Sequence, residues 1–173
     1  MTILTLTTDF GLRSGFVGTM KGVIYGIASQ VQIVDISHGI APQNIHEGAF
    51  ILWRAAPFFP AGTIHVYVVD PGVGTQRRPL AARLGEQYFV GPDNGLLTPL
   101  IEAAEQKQEP VEFVHLNNPK YWLPKISRTF HGRDVFAPVG AHLANGVSLS
   151  ALGPRVDDPV RMELPQPVKT DAG

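Results

Sequence analysis

The chain of 173 residues contains no cysteine. Disulfides and thiolate metal sites are thereby excluded, and the composition fits a reducing compartment. An excess of charge of either sign is missing too: 14 Lys and Arg against 15 Asp and Glu leave a formal net charge of −1, with the basic residues scattered along the chain. Nothing here offers an electrostatic footprint to nucleic acid or to an anionic membrane, and neither is expected as a partner. Long apolar runs are also lacking. No stretch approaches the ~20 residues of a membrane span, and the opening MTILTLTTDFG has neither the basic region nor the length of a signal peptide. A soluble, cytoplasmic protein is the expectation.

Proline and glycine, by contrast, are plentiful, at 15 and 18 residues, so sharp loop ends should outnumber long helices. Between the loops the pattern is regular. Residues 2–8 alternate apolar side chains with threonine and read as a strand that ends on Asp9 and Gly11. Residues 15–29 repeat Phe16, Val17, Met20, Val23, Ile24, Ile27 and Ala28 at helical spacing, with Ser14 as the expected N-cap. A strand over 31–36 follows, then a helix over 44–56 capped by Asn44, with Ile45, Ala49, Leu52 and Trp53 on its inner face. Residues 64–69 are β-branched and aromatic, as suits a strand covered on both faces, and Pro71, Gly72 and Gly74 end it just after Asp70. Short strands over 79–83 and 87–90 flank a turn at Gly85-Glu86; a helix over 96–105, a strand over 111–115 and a helix over 134–144 complete the set. Strand and helix alternate in the order of parallel βαβ units, which predicts an α/β fold: a mostly parallel central sheet with helices on both faces.

One domain over residues 1–153 accounts for these elements. Residues 154–173 carry four prolines and no helical period, the composition of an interdomain linker or tail.

Asp70 would sit at the carboxyl end of a central strand, where open α/β sheets leave a crevice for ligands. Arg77 and Arg78 follow a glycine-containing loop that can fold back over it. Similar Asp-Gly loops stand in TTDFG at 7–11 and GPDNG at 91–95, and ISRTFHGRDVF brings His131 beside Gly132. Taken singly, each loop is explained by turn chemistry, and a lone histidine by capping or core packing. They occur here together.

In this order and spacing, TTDFG, VVDPGVGT-x-R, GPDNGLL and TFHGRD resemble the amino-terminal domain of the S-adenosylmethionine hydroxide adenosyltransferases, hydrolases related to the S-adenosylmethionine-dependent fluorinase and chlorinase. The resemblance spans residues 2–160. It implies a second, β-barrel domain, of which this chain shows no counterpart, and a homotrimer with its active sites between subunits. It further implies that Asp9 binds the ribose hydroxyls of the substrate S-adenosylmethionine, and that Asp70, Arg77 and His131 are the catalytic residues around an attacking water. Arg78 competes with Arg77 for the arginine position. No cofactor and no metal are implied. Tyrosines stand at the positions of Asp70 and His131 in the halogenase branch, and Gly132 matches a small residue of the chlorinase. Ser14, Phe16 and Gln43 fall where the fluorinase has other substrate-facing residues, and they receive no role.

The implied reaction is hydrolysis of S-adenosylmethionine to adenosine and L-methionine. Transfer to a halide, as in the chlorinase, is the first alternative, and a carboxylate beside the nucleophile disfavours an anion. Two other classes stay open. One is a non-catalytic nucleoside-binding domain. The other is a metallohydrolase that gathers His38, His46, His131, Asp9 and Asp70, although no tight ligand spacing such as H-E-x-x-H is present. Trp122, on a proline-bounded loop with Tyr121, is equally placed to meet a partner subunit or to pack internally.

Overall fold

A computed structural model describes residues 1–164. Six strands form one sheet in the order β2-β1-β3-β5-β4-β6, where β1 is Ile3–Thr8, β2 Gln32–Ser37, β3 Ile64–Val68, β4 Pro79–Leu84, β5 Gln87–Pro92 and β6 Val111–His115. β2, β1, β3 and β5 are mutually parallel. β4 is a tight hairpin partner of β5 and is inserted antiparallel between β5 and β6. Its amino end therefore lies at the carboxyl edge of the others, which is how Arg77, just before it, comes to stand beside Asp70.

Helices α1 (Phe16–Ile27) and α4 (Ala137–Ala144) cover one face, while α2 (Ile45–Ala55) and α3 (Thr98–Gln106) cover the other. Alternation along β3 separates the two cores. Ile64, Val66 and Val68 join the α1–α4 cluster, and Tyr67 with Val69 joins the α2–α3 cluster. All five residues of β3 are buried, and each such aliphatic side chain contributes roughly 1.5–3 kcal/mol. β3 is the spine of the domain.

Local sequence explains most element ends. Asn44 caps α2 as expected, its Oδ1 accepting from the Glu47 amide at 3.1 Å, and the Glu47 carboxylate reaches back to the Ala41 amide at 3.0 Å. Ser14 does not cap α1; Gly15 holds that place without a side-chain bond. Instead, the Ser14 hydroxyl donates weakly to the Phe10 carbonyl at 3.4 Å. Trp53 also departs from expectation. It is 37% exposed because the buried stripe of α2 is centred on Gly48, Ala49 and Leu52, which leaves Trp53 on its flank. The last helix is not a single α-helix: Gly132–Phe136 is a π turn, its Gly132 carbonyl accepting from the Ala137 amide, and α4 continues from it. Trp122 packs partly buried against the α1–α4 core.

The stretch whose composition suggested a linker runs, as far as Leu164, along the domain. His115 and Val156 amides bond to the Pro154 and Phe113 carbonyls at 2.9 and 3.0 Å, and the Met162 amide donates to Thr98 Oγ1 at 3.0 Å. The remainder of that stretch lies outside the described residues. Among the described residues, no helix is long and apolar enough to cross a membrane.

Candidate active site

The chain leaves β1 toward β2 on one side and then crosses to β3 on the other. The carboxyl ends of β1 and β3 consequently flank the topological switch point, where an α/β sheet has its natural crevice. Asp9 follows β1 and Asp70 follows β3. A groove of about 310 Å³ lies there, lined among others by Asp9, Phe16, Gln43, Asp70, Phe130 and His131. A larger groove of about 410 Å³ between α2 and α3 is mostly apolar and contains His46. His46 and Glu102 line it, but no arginine does.

Arg77 organises the first groove. Its Nε donates to both Asp70 carboxylate oxygens at 2.9 and 3.0 Å, and its Nη2 donates to Asp70 Oδ2 and to His131 Nδ1, the latter at 3.0 Å. Arginine has no acceptor, so Nδ1 must be unprotonated and the imidazole hydrogen resides on Nε2. Both charged side chains are nearly enclosed, at 9% and 5% exposure, where a forked, charge-assisted contact is strongest. The Arg77 guanidinium also lies 5.1 Å from the Phe136 ring centroid. Burial and the Arg77 charge push the His131 imidazole below its ordinary value of 6.5, against the opposing pull of Asp70 and Asp134. His131 is therefore neutral at pH 7.

The loop that carries Arg77 folds back because Gly74 adopts φ +77° and presses against the Arg128 carbonyl, which a Cβ would meet at 2.5 Å. Arg78, one residue on, points elsewhere. It bonds to Asp93 Oδ2 at 2.9 Å and to Asp158 Oδ1 at 2.8 Å, while Asp93 Oδ1 accepts from the Val160 amide at 2.8 Å. The GPDNG loop thus has a structural task, tying residues 158–160 to the sheet edge and holding Arg78 away from the groove.

Asp9 does not join the Arg77 cluster. It faces the same groove, and its Oδ2 accepts from the Gln43 amide at 2.7 Å. Gln43 makes that bond from a left-handed backbone, φ +64°, a strained conformation of the kind that gathers at ligand sites. Beneath it, the Phe10 amide donates to Thr8 Oγ1 at 3.3 Å, and Thr8 Oγ1 pairs with His38 Nδ1 at 2.8 Å. The Gly11 amide is held by the His38 carbonyl at 2.8 Å. Sequence reasoning missed this support, as well as the wall formed by Phe10, Phe16 and Phe130, whose ring centroids lie 4.8–5.9 Å apart. Phe16 belongs to the helical repeat of α1, and its position at the first turn, beside the groove, is what exposes it.

Among the described residues, no three His, Asp or Glu side chains gather as metal ligands. His38 is buried against Thr8, and His46 lines the other groove. The metallohydrolase reading therefore lacks a ligand set among the described residues.

These features define a class: an α/β domain with a crevice at its switch point, lined by an acid and an imidazole that one guanidinium joins. Residues 4–153 match the model of the S-adenosylmethionine hydroxide adenosyltransferase N-terminal domain, and the chain belongs to that family. It is 43% identical over 165 residues to the (R)-S-adenosyl-L-methionine hydrolase of Salinispora arenicola, covering 95% of this chain and 62% of that protein. Against the hydrolase of the same name from Methanocaldococcus jannaschii the identity is 42% over 168 residues, covering 93% and 59%. A fluorinase from an Actinoplanes species is more distant, 29% identical over 196 residues, covering 99% and 64%. The crystal structure of an uncharacterized conserved protein from Thermotoga maritima superposes with a TM-score of 0.89 at 37% identity, covering 99% of this chain and 64% of that one. The chain thus spans about three-fifths of the length of the curated hydrolases it matches.

Proposed function

We propose that this domain binds S-adenosyl-L-methionine and directs a water molecule onto its ribose methylene carbon, giving adenosine and L-methionine. The observation that carries the reading is the single guanidinium joining Asp70 to His131 on the wall of the groove that Asp9 also faces. The bond from water oxygen to carbon forms as the carbon–sulfur bond breaks, and the electron pair leaves with sulfur as a neutral thioether. No general acid is needed. Asp70, whose carboxylate is held in place by the Arg77 fork, takes the water's proton and passes it to solvent; the neutral His131 ring orients the water. Asp9 keeps an oxygen free for the ribose hydroxyls, since only Oδ2 is engaged by Gln43. One water is consumed and one proton released, so the reaction balances without metal or redox cofactor.

Similarity to the named hydrolases supports the substrate, and by the same likeness the (R) sulfonium epimer is the one expected to react. A halide nucleophile is disfavoured because it would approach the Asp70 carboxylate. The decisive test is incubation with each epimer in buffer containing chloride, followed by chromatography. Adenosine with equimolar methionine from the (R) form supports the reading; chlorinated adenosine moves the chain to the halogenase branch. Adenosine binding without turnover leaves a nucleoside-binding domain. We extend the proposal to a cytoplasmic homotrimer, as the resemblance implies, and sedimentation that finds only monomer at all concentrations would count against that assembly.

A further inference from the structure

We infer that Asp134 is the positioning residue for His131: its buried carboxylate holds the turn that carries the imidazole against the loop that carries Arg77. The inference rests on the role proposed for His131, and its geometry is independent of the substrate.

Asp134 is fully buried, yet each carboxylate oxygen is occupied. Oδ2 accepts from the Ser127 amide at 2.7 Å, and the Arg133 fork reaches Oδ1 at 2.6 Å and Oδ2 at 3.1 Å. Burial alone would raise its carboxyl, but the bonds from Arg133 and Ser127 outweigh that and hold it below the ordinary carboxylate range. The anion is therefore permanent at neutral pH. Above it, Ser127 Oγ accepts from the Phe130 amide at 3.0 Å, and the Asp134 amide returns to the Phe130 carbonyl at 3.1 Å. The turn 127–130, which leads into His131, is tied at both ends to this one residue. Its Arg128 carbonyl abuts Gly74 in the loop that presents Arg77. Asp134 itself lies within the π turn that opens directly after His131.

Asp134 also acts on the imidazole through its charge. The groups facing His131 are Arg77 and Asp70 from the β3–β4 loop, Asp134 from its own turn, and the Ser127 carbonyl. Asp134, Asp70 and that carbonyl favour the protonated ring, opposing burial and Arg77.

The test is an NMR titration of the His131 ring in the full chain without substrate, its signals identified by comparison with His131→Gln. Asp134→Asn is expected to lower the pH at which the ring titrates. Arg133→Met, at a side chain 35% exposed, leaves the Asp134 charge uncompensated and is expected to raise it. Shifts of opposite sign support the inference, and identical titration in wild type and both variants overturns it. Should Asp134→Asn not fold, Arg133→Met decides alone. With S-adenosylmethionine, Asp134→Asn should lower kcat roughly tenfold or more with KM within about twofold, as expected for a misplaced group rather than a lost contact. Opposite titration shifts in a chain that does not turn over S-adenosylmethionine would refute the proposed function and leave the positioning of His131 intact.

Discussion

Arg77 is the residue whose loss disconnects two groups at once. A lysine there keeps the charge but cannot place three donors in one plane toward Asp70 and the His131 ring. Arg77→Lys is therefore expected to lower kcat by about 100-fold, a magnitude typical of removing one fixed electrostatic contact. Steady-state kinetics check this, and an unchanged kcat would remove Arg77 from the site. The same bond sets a pH dependence. Protonation of His131 puts a hydrogen on Nδ1, where it opposes the Arg77 donor, so activity should fall as pH drops through the ring's titration. Because burial and Arg77 lower that titration, the acid limb should lie below 6.5. At this scale the sequence was informative about residue types: Asp9, Asp70 and His131 were each visible as an acid or histidine at a loop beside glycine. Arg77 and Arg78 were indistinguishable, because what separates them is Asp93, a partner fifteen residues on in sequence and adjacent only after β4 and β5 pair.

Among the elements, α4 shows how closely a helix must seat for the site to close. Gly140 faces β3, and a Cβ there would stand 2.6 Å from Val66 Cγ2. Both partners are buried and Val66 is stiff, so the helix itself must move. Gly140→Ala is predicted to cost about 1–3 kcal/mol by overpacking, measured by urea denaturation; an unchanged midpoint would show that α4 has slack. Because α4 continues from the π turn that holds Asp134, the same displacement should reach His131. Alternation and breakers made the strands legible, and the strand over 111–115 is observed with those bounds. The π turn was not legible. Its distinction from an α turn is one hydrogen-bond register, which no residue pattern in the sequence marks.

Across the whole molecule, the least expected feature is His65 in the middle of β3. It is fully buried, its Nδ1 is 2.7 Å from Thr5 Oγ1, and its ring stacks on Phe89 at 4.9 Å. Burial lowers its pKa to about 4, from 6.5 in the open chain. The unfolded chain thus takes up this proton first, and stability is lost as pH falls from 6.5 toward 4. The full effect is roughly 3 kcal/mol. Denaturation curves across that window should show the loss in wild type and a flatter profile in His65→Leu, even though that variant leaves Thr5 without its partner. Parallel profiles would mean that His65 is not the neutral buried group described.

The amino-acid sequence by itself determined the alternation of strands and helices, the acids at the strand ends and the family, since periodicity, breakers and short motifs are local properties of the chain. Only the tertiary structure decided which arginine meets Asp70, that Phe16 joins Phe10 and Phe130 in one groove wall, and that residues 154–164 lie along the domain. Each of those outcomes depends on a neighbour distant in sequence. The sheet order that creates the switch point between β1 and β3 is what brings such neighbours together, through crossovers and packing that no local stretch encodes.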